Sequence, residues 1–390
     1  MNRKEWFKNS GIYLAGGLSI FSGEIMPRLK SINDIKISLK SSRKFVSDFD
    51  FMRTMPSDKN IIRLMANENP WGPSKRATDA ILSSVKESNR YAFSLIDNLK
   101  TKIAKYENIS LDQILLSPGS SNILTGAAIY NYQIGGNIVA AEPSYSDMPD
   151  FAEEIGCEVR WVPLDSEFKL DLDAMEKNID ENTSMIYICN PNNPTGTKLK
   201  TSELRDFCVR TSQYTNVFVD EAYLEYQDNP KDESMIDLVN KGLNITILRT
   251  FSKVYGMAGI RMGYAVSSKD MIEKLKSTTR SHQSLTVTAL SGAYEAFQET
   301  EFLYSIKKKT SESREYLYSI LRKEGYEYIP SSTNFVMFPI NMEGERFVQE
   351  MWKRGVGVRS WEFNNQNWCR VSLGTMENMK SFEKAFKQIS

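Results

Sequence analysis

Short apolar runs with turn residues on both sides recur through the first two thirds of the chain. Ile138-Val-Ala-Ala141, Cys157-Glu-Val-Arg-Trp-Val162, Ser184-Met-Ile-Tyr-Ile-Cys189, Val217-Phe-Val219, Ile245-Thr-Ile-Leu248 and Gly263-Tyr-Ala-Val266 have the length and composition of buried strands. Between them lie longer segments of mixed polarity. A helix is predicted over 120–132, after the Pro118-Gly119 turn, and others over 170–179, 201–213 and 270–279. Strands that alternate with helices argue for a mainly parallel sheet covered on both faces, an α/β fold. Ligands of such sheets gather at the carboxyl ends of the strands. The polar punctuation falls at those ends, in Asn190-Pro-Asn-Asn-Pro-Thr-Gly196, Asp220-Glu-Ala-Tyr223 and Ser252-Lys253. After about residue 300 the pattern changes. A long charged helix from Glu301 to Lys323 leads to predicted strands at 326–329, 334–338 and 370–373 with helices between, the pattern of a smaller α+β domain. The Lys307-Lys308-Lys309 run on that helix reads as a solvated face.

Composition narrows the function more than the fold. The 390 residues fit one large or two ordinary domains, and 41% hydrophobic with 25% charged residues is a globular composition. Basic and acidic residues number 49 each, so the chain lacks the basic excess of a protein that binds nucleic acid by releasing counterions. A single histidine, His282, removes every metal site that needs two and leaves any Ser-His-Asp engine dependent on that one residue. No metal is expected. Cys157, Cys189, Cys208 and Cys369 form no CxxC pair and read as buried or incidental thiols.

The N-terminus is basic and then glycine-rich and weakly apolar, up to Ser22. Arg3-Lys4 ahead of Trp6-Phe7-Lys8 resembles a twin-arginine export signal with lysine in the second basic place, and no A-x-A cleavage site follows. Export and a cytoplasmic protein with an N-terminal extension both stand as readings. The stretch is too short and too polar for a stable membrane span, and no other segment approaches one.

Four features stand in order along the chain: an asparagine in a double Asn-Pro loop, an aspartate ending an apolar strand with a tyrosine three residues on, a lysine after a serine, and an arginine at 261. Together they match the needs of pyridoxal phosphate. Its aldehyde needs a lysine amine for a Schiff base. Its pyridine nitrogen needs a carboxylate to stay protonated, so that the ring acts as an electron sink. Its phenolic oxygen needs donors, and its phosphate needs a helix N-terminus with cationic or hydroxyl groups.

These motifs resemble those of the class I/II, fold-type I pyridoxal phosphate-dependent aminotransferases, in the histidinol-phosphate aminotransferase-like branch, over roughly residues 60–390. The resemblance implies a seven-stranded, mainly parallel sheet flanked by helices, plus the smaller α+β domain. It implies Lys253 as the Schiff-base lysine, Asp220 as partner of the pyridine nitrogen, and Asn193 and Tyr223 as donors to the ring oxygen. Tyr145 matches the aromatic stacked on the ring. Ser252 and Arg261 match phosphate ligands. Ser120, Ser121 and Asn122 fall at the phosphate-binding helix start, where family members often carry an acidic residue. Tyr91 matches a tyrosine that reaches the partner subunit's phosphate, although Ala92 stands in place of the usual proline, and a homodimer follows from that role. Asn69, in the Asn67-Glu-Asn-Pro70 loop, and Arg370 fall at substrate-binding positions, with Arg359 as a second anion-binding arginine.

The implied organisation is a signal-like extension (1–30), a segment joining the small domain (31–75), a large cofactor-binding domain (76–300) and a small C-terminal domain (301–390). The implied reaction is ping-pong transamination between a small-molecule amino donor and a keto acceptor, with an anionic amino acid or amine such as histidinol phosphate as substrate. Two alternatives stay open. A decarboxylase or lyase of the same scaffold, threonine-phosphate decarboxylase-like, shares these motifs. A cofactor-sensing transcription regulator would need an N-terminal helix-turn-helix, for which residues 1–60 are too short and too signal-like.

Overall fold

The structure, a computed structural model, describes residues 60–389. The signal-like extension at 1–30 and the chain up to residue 59 lie outside the described residues.

The chain enters through the short strand β1 (Ile62–Arg63) and then builds the main sheet from β2 (Ile114–Ser117), β3 (Asn137–Glu142), β4 (Val159–Pro163), β5 (Thr183–Cys189), β6 (Asn216–Asp220), β7 (Ile245–Thr250) and β8 (Gly263–Val266). The sheet order is β2-β8-β7-β6-β5-β3-β4. All neighbours pair in parallel except β8, which runs antiparallel to both β2 and β7. The expected seven-stranded, mainly parallel sheet is therefore the one observed.

Its central strands are largely apolar because both faces are covered. Val139, Ala141, Ile186, Ile188, Val217 and Val219 pack into one core. The residues between them, Ile138, Ala140, Met185, Tyr187, Cys189 and Phe218, pack into a second core on the opposite face. Successive side chains of a strand point to opposite faces, so one strand feeds both cores. The helices predicted at 120–132, 170–179, 201–213 and 270–279 occur as Ser120–Ile134, Leu172–Lys177, Thr201–Thr211 and Lys269–Thr279.

Beyond the long helix Thr300–Lys323 comes a second, antiparallel sheet in the order β11-β12-β9, made of β9 (Phe335–Ile340), β11 (Arg359–Phe363) and β12 (Gln366–Ser372). Leu317, Ile320 and Leu321 of the long helix pack with Val336, Phe338, Cys369 and Val371 in a third core. Between β9 and β11 runs β10 (Val356–Gly357), which pairs in parallel with β1. The expected strand at 326–329 is corrected. Only Ile329 bridges Met337, because Pro330 follows and has no N–H to continue a ladder. Tyr328 instead stacks on Tyr318 of the long helix at 4.0 Å. Among the described residues no helix is long and apolar enough to cross a membrane, and no cluster of metal-ligating side chains is present.

Candidate active site

The polar residues at the carboxyl ends of β5, β6 and β7 converge. Asp220 closes β6 and is 3% exposed. Its Oδ1 accepts the Ala222 N–H at 3.0 Å and its Oδ2 accepts the Tyr187 hydroxyl at 3.1 Å. Tyr187 comes from the neighbouring strand β5, where Cys189 stands in register with Asp220. Burial raises the Asp220 carboxyl to about 6, and those two hydrogen bonds oppose the rise.

Lys253 lies in the turn after β7. Its Nζ donates to the Ala66 carbonyl at 3.3 Å and sits 5.6 Å from the Tyr223 ring centroid. Burial, and next the Arg370 charge, lower its pKa to about 8 against the opposing pull of Glu68 and Asp220. An amine in that range keeps a useful neutral fraction near physiological pH. Tyr223 is 3% exposed, and burial raises its phenol.

Asn193 belongs to the 190–196 loop. That loop is braced by Asn192, whose Nδ2 donates to the Pro143 carbonyl and to Thr195 Oγ1, and whose Oδ1 accepts the Ser144 hydroxyl. The brace holds Tyr145, next in sequence to Ser144, against the same site. Tyr145 is partly buried, and its hydroxyl lies 3.4 Å from Asp147 Oδ2. Ser144, Tyr145, Asn193, Pro194, Arg359, Trp361 and Arg370 line one cavity.

The wall opposite the main sheet comes from the antiparallel sheet. Arg359 in β11 and Arg370 in β12 are register partners. They lie 4.8 and 4.6 Å from the centroid of the Trp361 ring. Arg370 is 1% exposed, and it donates to Asn193 Oδ1 at 2.6 Å and to the Met65 carbonyl at 2.5 Å. Burial lowers Arg370 to about 10. Burial, and next the charge of Arg370, lower Arg359 to about 9. Two cations held side by side form a site for anions.

A separate cradle forms at the start of the helix Ser120–Ile134. Gly119 has φ 83°, and a side chain there would run into the Arg261 guanidinium, so only glycine lets that arginine lie over the helix N-terminus. The first-turn N–H groups of Ser120 and Ser121 lack partners within the helix and favour an anion. Asn122 Oδ1 is buried with no hydrogen-bond partner. Ser252 is buried, with its N–H on Thr250 Oγ1 at 3.1 Å.

Two expected residues stand differently. Asn69 has both ends of its amide engaged inside the chain, Nδ2 on the Val254 carbonyl at 2.8 Å and Oδ1 on the Trp71 N–H at 3.0 Å. It thereby ties the 67–70 loop to the residue after Lys253. Tyr91 is 84% exposed and packs against Phe93 at 5.9 Å, outside the cluster around Lys253. Sequence reasoning did not single out Tyr187, Trp361, Ser372 or Asn67. Trp361 could have been found by alternation, since it falls two residues after Arg359 and so on the same face of β11. Tyr187 sits inside an unbroken apolar run and carries no such signal.

Behind the site, Arg249 of β7 donates to Glu221 at 2.7 Å, to Glu225 at 2.9 Å and to Ser234 Oγ at 3.0 Å. All are buried, and the network fixes the chain next to Asp220.

A sequence profile described as aminotransferase class I and II matches residues 59–386. Histidinol-phosphate aminotransferase 1 of Bacillus cereus is 33% identical over 330 residues, 84% of this chain and 89% of its own. Histidinol-phosphate aminotransferase of Caldicellulosiruptor saccharolyticus is 33% identical over 332 residues, 85% of this chain and 92% of its own. The crystal structure of histidinol-phosphate aminotransferase from Sinorhizobium meliloti in complex with pyridoxal-5'-phosphate has the same fold, with a TM-score of 0.77 at 21% identity, covering 90% of this chain and 100% of that one.

Proposed function

The chain belongs to the class I and II aminotransferases, and we propose that it is a pyridoxal phosphate-dependent transaminase of a substrate carrying two anionic groups, with histidinol phosphate as first candidate. The family and the named relatives favour transamination over the decarboxylase or lyase alternative.

The residues present fit the cofactor. A half-buried amine, a buried carboxylate, two side-chain donors and a cradle of helix N–H groups under the Arg261 guanidinium are the set its aldehyde, ring nitrogen, ring oxygen and phosphate require. Lys253 is the residue to carry it. Asp220 holds the ring nitrogen protonated. Asn193 and Tyr223 donate to the ring oxygen, Tyr145 packs on the ring, and Ser120, Ser121, Ser252 and Arg261 hold the phosphate. When bound, pyridoxal phosphate supplies an aldehyde that takes up the amino group and a ring that accepts the electrons of the substrate's α-carbon. Lys253, with its amine near a pKa of 8, takes and returns the proton at that carbon. Arg370 grips the substrate carboxylate in a bidentate fork, and Arg359 takes the second anion.

The observation that carries the substrate class is the register pairing of Arg359 with Arg370, beside one aromatic ring and within one cavity. A donor and acceptor screen on purified protein tests it, with 2-oxoglutarate and glutamate as one pair and histidinol phosphate as donor. Turnover of histidinol phosphate well above neutral amino acids is expected. Equal turnover of unphosphorylated and phosphorylated amines would reject a second anion subsite.

We further propose a homodimer in which Tyr91 reaches the partner's phosphate site. Leu82, Val85, Tyr91 and Phe93 are 67, 55, 84 and 73% exposed within twelve residues of sequence, a concentration of open apolar surface that supports burial against a second copy.

A further inference from the structure

The Asn67-Glu-Asn-Pro70 loop carries one residue whose bonding goes beyond the roles above. Asn67 is 0% exposed and has φ 54°, a left-handed conformation that asparagine tolerates better than most residues. Four hydrogen bonds hold it. Its N–H donates to Ser372 Oγ at 2.8 Å, and the Ser372 hydroxyl donates to Asn67 Oδ1 at 3.0 Å. Asn334 Nδ2 donates to the Asn67 carbonyl at 3.0 Å. Asn67 Nδ2 donates to the Tyr223 hydroxyl oxygen at 3.0 Å.

With the Asn67 amide oxygen on the Ser372 hydroxyl and its nitrogen on Tyr223, counting protons gives the direction of this chain. The backbone N–H of Asn67 can only donate, so Ser372 Oγ accepts from it. The single Ser372 proton is then given to the amide oxygen of Asn67. The amide is held with Nδ2 toward Tyr223, and an amide nitrogen can only donate. The phenol oxygen of Tyr223 is therefore the acceptor, and its own proton has to leave in another direction. The neighbouring Arg370 guanidinium cannot accept it, because it has no lone pair to offer, and Lys253 cannot while it is protonated.

We propose that Asn67 is a positioning residue: with Ser372 behind it, it forces Tyr223 to present its O–H as a donor to the ligand oxygen in the site. A tyrosine hydroxyl can donate or accept, and without this constraint the Asn67 amide could turn its oxygen toward Tyr223 and take that proton. The relay removes that choice before any ligand arrives, which is preorganisation of a single proton.

The inference rests on the proposed binding of pyridoxal phosphate, and its test separates the two. Cofactor-free parent, Asn67→Asp, Ser372→Ala, Tyr223→Phe and the Asn67→Asp/Tyr223→Phe double variant are each loaded with pyridoxal phosphate. The readout is the pH midpoint of the bound cofactor's visible absorption. Aspartate also tolerates the left-handed backbone, but its carboxylate accepts where the amide donated, so it draws the Tyr223 proton away from the site. A donor lost from the ring oxygen strengthens that oxygen's hold on the neighbouring proton and raises the midpoint. Tyr223→Phe should raise it by about one pH unit, tenfold in the proton equilibrium. Asn67→Asp should raise it by a similar amount, and the double variant no further than Tyr223→Phe alone, because the aspartate acts through the missing hydroxyl. Ser372→Ala, which frees the amide to rotate, should give a smaller shift of the same sign and covers the case in which Asn67→Asp does not fold. Additive shifts in the double variant, or parent-like midpoints in Asn67→Asp and Ser372→Ala, would overturn the relay. A parent that gains no visible band would instead overturn the functional reading, and the relay's purpose with it.

Discussion

The Arg370 guanidinium donates to the side-chain oxygen of Asn193 at 2.6 Å across 177 residues of sequence. The contact joins the substrate-facing wall of β12 to the loop after β5. An arginine cannot accept a hydrogen bond, so the Asn193 amide is fixed with its oxygen toward Arg370 and its nitrogen toward the site. The residue proposed to hold a substrate anion thus also orients a residue proposed to hold the cofactor.

Replacing Arg370 by lysine should therefore do two things at once. Lysine reproduces the charge but not the planar fork. Loss of a buried, charge-paired contact costs on the order of 2–5 kcal/mol, so kcat/KM should fall by well over tenfold. The pyridoxal phosphate dissociation constant should rise as well, because Asn193 loses its orienting partner. Steady-state kinetics and a cofactor titration measure the two effects. An Arg370→Lys enzyme with parental kcat/KM on every anionic donor would remove this arginine from the site.

Arg359→Lys should discriminate between substrates. Its loss should raise KM for a phosphorylated amine more than for glutamate, since only the former presents a second anion. The ratio of the two KM changes is the measurement, and a ratio near one would assign Arg359 a structural role, such as its packing on Trp361, in place of anion binding.

Lys253→Ala should abolish covalent capture of the cofactor. The parent, treated with borohydride in the presence of pyridoxal phosphate, should gain a stable adduct on the peptide containing Lys253, visible by mass spectrometry. The same adduct on the alanine variant would put the covalent attachment elsewhere.

Asp220 makes the cofactor-free protein pH-sensitive. Its carboxyl is raised from the ordinary 3.8 to about 6. The native state thus holds the proton more tightly than the unfolded chain, and the associated stability is present below pH 3.8 and lost as pH rises through 6. Asp220→Asn carries no such loss. The cofactor-free variant should match the parent near pH 4 and exceed it above pH 6, by at most about 3 kcal/mol. Thermal midpoints across that range check the sign. A variant less stable than the parent at pH 7 would contradict it. Adding pyridoxal phosphate should reverse the order, because the protonated ring nitrogen then supplies the positive partner that lets the buried carboxylate stay ionised.

The active species should sediment with twice the mass of one chain. Tyr91→Ala should weaken pyridoxal phosphate binding while leaving the site around Lys253 unaltered within each chain. A fully active monomer at working concentration would end the homodimer proposal.

Much of this was written along the chain. The apolar runs at 138–141, 184–189 and 217–219 gave strands within a residue or two of their bounds, because two-sided burial demands continuous apolar sequence. The residues at their carboxyl ends, Asn193, Asp220 and Lys253, were legible for the same reason: polar residues stand out against such runs. The strand predicted at 326–329 failed because Pro330 denies the ladder its next donor and Tyr328 packs on the long helix instead.

What sequence alone determined is the order of elements and the chemistry available at their ends, since both follow from local pattern and side-chain type. Which groups meet was decided by the tertiary structure. Asn67 meets Tyr223 across 156 residues and Ser372 across 305, and Arg359 faces Arg370 only once β11 and β12 pair in that register. Hydrogen bonds of this kind leave no periodic trace, because direction and partner depend on where distant backbones cross. The proton that Tyr223 presents is therefore a property of the fold.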